Sequence, residues 1–199
     1  MSVAKASREV TLGFLTVVEH GADGLFGGYL VLNGLGRPLE FHCTEPVRPS
    51  RAQEILYGPT LRPFLFGEQI GGALVNRSKR PVAAVLTDQE PVLALRTAVD
   101  CPMALVLAGP QRPETNVGDP AVGPSAASPG RCRFDPAHGA PAGLALFTLG
   151  THRLAVLGGS SEDRHLITER LGDWAHSFDL AEPFQRIREA IEEARQGGS

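Results

Sequence analysis

The chain has 199 residues, 42% hydrophobic and 21% charged, with a formal net charge of −3. That composition suits a chain that buries a core; it excludes a disordered polymer and supplies no overall charge for gripping nucleic acid or an anionic membrane. No apolar run reaches the length of a membrane span, and Met1–Glu9 has no apolar core of a secretion signal. The three cysteines, Cys43, Cys101 and Cys132, are too few and too far apart for a disulfide framework, so a reducing, cytoplasmic setting is expected.

The first predicted strand is Val10–Val18, with Leu12, Phe14, Thr16 and Val18 on one face and Gly13, Leu15 and Val17 on the other. Glu19–Gly24 reads as a turn, with Gly21 and Gly24 supplying positive φ. Gly27–Asn33 and Arg37–Thr44 read as a hairpin around Asn33-Gly34-Leu35-Gly36. Alternation puts Leu39, Phe41 and Cys43 on a buried face of the return strand and Glu40 and His42 on a polar one.

Pro46 and Pro49 mark a connector. Ser50 is the expected N-cap of a helix, with Gln53 completing a capping box and Ala52, Ile55 and Leu56 starting an apolar face. Gly58-Pro59 breaks that helix. A second starts near Thr60 and ends near Asn76, although Gly67, Gly71 and Gly72 each cost roughly 1 kcal/mol of helix propensity relative to Ala. Close packing on a sheet is the expected reason for tolerating them, with backbone approach to a ligand or partner as the alternative.

Pro81–Asp88 is the stretch around which the rest is arranged. Val82, Ala83, Ala84, Val85 and Leu86 are apolar without alternation, as in a strand buried on both faces. A short helix is predicted over Gln89–Val99 and a further buried strand over Pro102–Ala108, giving a strand–helix–strand unit with parallel strands. Residues 109–131 are rich in Pro, Gly, Ser and Ala and read as a linker or insertion. Leu144–Leu149 and His152–Leu157 form a second hairpin. A helix from Ser160 or Ser161 carries the stripe Leu166, Ile167, Leu171, Trp174 and Phe178. The last helix is capped by Asp179, with Leu180, Phe184, Ile187, Ile191 and Ala194 on one side.

The expected architecture is α/β, with α+β as the alternative. It comprises an α/β domain over 1–108 with a mixed sheet opened by an antiparallel meander, a linker over 109–131, and a ββαα module over 132–199 that completes that domain or docks on it.

Charge is uneven. Residues 45–81 hold six basic against three acidic residues, and residues 160–199 hold nine acidic against five basic. Arg77, Lys79 and Arg80 are the nucleic-acid-binding candidates, as cations able to contact phosphates. His42, Cys43, Cys132 and His138 carry metal-binding atoms, but their spacing matches no zinc pattern, and Cys43 and Cys101 read as small core residues. No Gly-x-Ser-x-Gly elbow and no phosphate-binding loop is present.

Over residues 10–108 the order strand, strand, strand, helix, strand, helix, strand resembles the ribonuclease H-like fold. That resemblance implies two divalent ions, Mg²⁺ for instance, clamped by acids on the first strand, the first helix, the end of the fourth strand and a late helix. Here Asp88 falls at the fourth strand's end, Glu54 or Glu68 on a helix, and Asp173 on the late helix. The first strand has Thr16 and Val17 where the acid is expected, and Glu19 only at its far end. The catalytic candidates are therefore Asp88, Glu19, Glu68 and Asp173, in a metal-dependent nuclease. The leading expectation is different: a cytoplasmic, non-enzymatic binding or assembly subunit that needs no cofactor and works through a protein partner or self-association. A small-ligand-binding domain is the third expectation.

Overall fold

The computed structural model describes residues 10–107, 143–172 and 174–197. The proposed linker, Cys132, His138 and Asp173 lie outside the described residues. Among the described residues seven strands form one mixed sheet: β1 Thr11–His20, β2 Gly24–Asn33, β3 Pro38–Cys43, β4 Ala84–Thr87, β5 Met103–Leu107, β6 Leu144–Leu149 and β7 His152–Leu157. Their spatial order is β3-β2-β1-β4-β5-β7-β6, with β4 parallel to both β1 and β5 and every other neighbour antiparallel. The chain is a mixed α/β protein, and the strands of its C-terminal part extend the same sheet as the N-terminal meander.

The predicted central strand is central. Only Ala84–Thr87 of Pro81–Asp88 is strand, and all four residues are buried, because layers of helix cover both sheet faces. The front is covered by α3 Ser161–Leu171 and α4 Glu182–Gln196, which join Leu12, Phe14, Leu86 and Leu154 in one core. The back is covered by α2, residues 61–77, and a 3-10 helix, Glu90–Ala98, over Leu15, Tyr29, Val31, Val85 and Leu105. A separate helix, α1, spans Arg51–Tyr57.

The front core centres on aromatic rings. Phe14 lies 5.6 Å from Phe184 and 6.5 Å from both Trp174 and Phe178, ring centroid to ring centroid, and Trp174 stacks on Phe178 at 4.2 Å. The Trp174 indole N–H donates to the Gly34 carbonyl at 2.7 Å, fastening the C-terminal part to the tip of the β2–β3 hairpin. The α3 helix ends at Leu171, short of the predicted stripe, so Trp174 and Phe178 reach this cluster from the connection to α4. That last helix begins at Glu182, not at a cap on Asp179; the Asp179 carboxylate accepts from the Ala181 N–H instead.

The back is built less regularly. The middle of α2, Phe64–Gly71, is π-helical, and the predicted helix after β4 is 3-10. Gly67 packs on that 3-10 helix and not on the sheet: a Cβ there would sit 2.7 Å from the Leu95 nitrogen and 2.8 Å from the Ala94 Cβ. Gly71 meets Leu15 of the sheet, whereas Gly72 meets nothing. The glycines thus divide among three circumstances, and only Gly71 fits the expected one.

Two expectations of burial fail. The α1 helix has the predicted capping box, with Ser50 and Gln53 bonded reciprocally, yet none of its residues is buried; Ile55 is 67% and Leu56 81% exposed. The apolar spacing was real, but the connector carries the helix clear of the sheet. On β3, Phe41 is 38% exposed and Cys43 is exposed. β3 is an edge strand, and α4 reaches over β1 and β2 without covering it.

Candidate functional site

In α/β sheets sites form beyond the carboxyl ends of parallel strands, where neighbouring connections diverge. Here that place is the junction of β1 and β4. β1 runs on past the end of β4, which leaves backbone groups of β1 without a strand partner. The Gln89 side chain fills the gap. Its carboxamide oxygen accepts from the Val17 N–H at 2.8 Å, and its NH₂ donates to the Val17 carbonyl at 2.8 Å. A side chain thus acts as one further rung of ladder and closes the crevice where a ligand would enter.

The carboxylates predicted to converge here point apart. Odd-numbered β1 residues face the back, and Glu19 pairs there with Arg62 of α2. Asp88 faces the front and pairs with Arg188 of α4. Glu68 lies exposed in the π-helical turn and Glu54 pairs with Arg51 on α1. Glu19, Glu68 and Asp88 therefore share no common point, and among the described residues no cluster of three or more His, Cys, Asp or Glu could hold an ion. The donor set of a two-ion site does not fit these residues.

Beside Asp88 the front has a shallow, open cleft of about 540 Å³ floored by Val18 and walled by Arg188, Glu189, Glu192 and Glu193. His20 lies 2.7 Å from Glu192 at its rim. A second cleft, also about 540 Å³, lies between β5, the β6–β7 hairpin and the segment after α3, with His152 bonded to the Phe178 carbonyl at 2.9 Å. The second is lined by Thr151, His152, His176 and Ser177, but the Ser177 hydroxyl donates to the Trp174 carbonyl at 3.2 Å and the His152 ring is engaged by the Phe178 carbonyl.

The basic candidates sit at the back edge. Arg77 is exposed in the last turn of α2, where a cation suits the helix dipole. Lys79 and Arg80 follow it around Glu40 of β3. The Glu40 carboxylate accepts from the Ser78 hydroxyl at 2.8 Å and the Lys79 N–H at 3.2 Å, lies 3.2 Å from His42, and has the Arg80 guanidinium 3.8 Å away. The Ser78 hydrogen bond above all, then those of His42 and the Lys79 N–H, hold Glu40 below the usual carboxylate range. This knot ties β3 to the end of α2 and sets an acid beside Arg80, one of the three cations offered to phosphate.

Among the described residues one charged side chain is buried: Asp163, in the first turn of α3, is 1% exposed. It takes two bonds from Arg96 of the 3-10 helix, at 2.7 and 2.9 Å, so a bidentate pair crosses from the back layer to the front. The signal was present: Asp163, Ile167 and Leu171 are spaced four apart, which puts the acid on the buried stripe. Cys101 lies nearby, and burial pushes its thiol above the ordinary value, the opposite of an activated nucleophile.

The class these features define is a mixed α/β protein with both sheet faces covered. Comparison with known proteins found no family model, no curated protein and no solved structure that matches the chain. Among the described residues no helix is long and apolar enough to cross a membrane.

Proposed function

We propose that the protein is a non-enzymatic binding or assembly subunit that acts through a protein partner. The observation that carries this reading is α1. A seven-residue helix is marginal alone in water. This one is held by its capping box and by Tyr57, whose ring stacks on Phe64 at 4.2 Å. Its two large aliphatic side chains, Ile55 and Leu56, contribute nothing to that support and stand together in solvent. A folded helix that keeps its apolar residues outside its own core presents them to another molecule. Free Cys43 and Cys101 suit a cytoplasmic setting.

The test is a pulldown from the source organism's lysate with wild-type protein and with Ile55→Asp/Leu56→Asp. A partner retained by the first and lost by the second, at equal thermal stability, is expected. Identical capture profiles would overturn the reading. So would Mg²⁺- or Mn²⁺-dependent cleavage of DNA or RNA that Asp88→Asn abolishes.

A further inference from the structure

We infer that β6 pairs with the β6 of a second copy of this chain, antiparallel and about a two-fold axis through Leu146. This goes beyond the α1 reading and concerns a different surface.

The two edges of the sheet are built differently. β3 carries the devices that keep an edge strand solitary: Pro38 at its start, Glu40 held inside the knot with Ser78, and an irregularity in its register opposite Val31 and Leu32. β6, Leu-Ala-Leu-Phe-Thr-Leu, has no charge, no proline and an unbroken register with β7. Among the described residues, no strand pairs with its outer edge.

The register says which backbone groups are open. The Gly158 N–H donates to the Gly143 carbonyl, and antiparallel ladders alternate hydrogen-bonded with non-hydrogen-bonded pairs. Ala145, Phe147 and Leu149 therefore spend their backbone groups on β7. Leu144, Leu146 and Thr148 turn an N–H and a C=O each toward the outer edge, and no described backbone group bonds to them. These residues are symmetric about Leu146.

An axis at Leu146 sets it against its own copy and sets Leu144 against Thr148, in both directions. Every open donor on either strand then meets an open acceptor, with none left over. The side chains agree. Leu146, 36% exposed and the most exposed large apolar residue of β6, would be covered by its symmetry mate on the axis. On the front, Phe147 comes to lie beside Ala145 of the other copy, a large residue beside a small one. With no charge on β6, no like-charge repulsion opposes identical strands.

Light scattering coupled to size exclusion, over a dilution series, tests this. Wild-type protein is expected at twice 21.2 kDa at the concentrated end. Leu146→Lys puts two ammonium groups on the axis and should give the monomer mass. Leu146→Pro deletes the outward N–H while sparing the β6–β7 bonds, and should do the same; a circular dichroism spectrum matching the wild type's and a cooperative melt show that either variant is folded. Ile55→Asp/Leu56→Asp should leave the dimer intact. A wild-type monomer throughout, or a dimer that both Leu146 variants preserve, overturns the inference. A dimer broken only by the α1 variant overturns it too, and leaves the α1 reading standing.

Discussion

Front and back of the sheet bury comparable apolar strands under unlike covers. On the front, two regular α-helices and a linking turn meet the sheet through interlocked aromatic rings around Phe14. On the back, a π-helical turn and a 3-10 helix touch each other through a glycine, backbone against side chain. The front is held by the volume of side chains and the back by the absence of one. Substitutions should expose the difference.

The largest effect is expected at Phe14, which touches all three other rings. Phe14→Ala should cost about 3–5 kcal/mol in denaturant unfolding, since a cavity opens beneath α4 and the connection that leads to it. Next comes the tie between the two layers. Asp163→Ala should cost about 3 kcal/mol by leaving Arg96 without its partner, and Arg96→Met/Asp163→Leu should recover most of that loss. If the double variant is as unstable as the single one, the pair does more than satisfy itself.

On the back, the sign of a glycine substitution should depend on its neighbour. Gly67→Ala ought to destabilise by about 1–3 kcal/mol, because the new methyl meets the backbone of Leu95. Gly72→Ala, five residues on in the same helix and facing open space, should stabilise by about 0.5–1 kcal/mol. Equal signs in thermal melts would refute the account of the glycine contact.

The smallest effect belongs to Glu40. Its carboxyl titrates below its ordinary value of 4.5 in the fold, so its contribution is present above that value and lost as pH falls through the folded-state value. Ser78→Ala removes the main cause. The gap in melting temperature between wild type and variant should therefore be present at neutral pH and shrink in acid.

Periodicity made much of this fold legible. The apolar run at Val82–Leu86 marked the centre of the sheet, and the alternation Leu12, Phe14, Thr16, Val18 gave the front face of β1 correctly. Coverage was not legible. Alternation identifies a strand's two faces but not whether a helix reaches over them, so Phe41 and Cys43 were placed inside and lie outside. Ile55 and Leu56 failed likewise, since apolar spacing shows that a helix has a face without supplying something for it to pack on. The carboxylates were misleading for a sharper reason. Strand parity places Glu19 on the back of β1, while Asp88 follows β4 onto the front, and the two arginines that claim them lie far away in sequence. No local pattern announces either partner, and none announces the Gln89 rung.

Trp174 gives the molecule its own reporter. It is the chain's one tryptophan, stacked on Phe178 and bonded to a carbonyl in the first hairpin. Its fluorescence therefore comes from a single, dry position where the two ends of the sequence meet. Emission should be blue-shifted in the native state and move to the red once the C-terminal segment lifts from Gly34. Detachment that precedes loss of the sheet would thus be visible as an early spectral change, with no label attached.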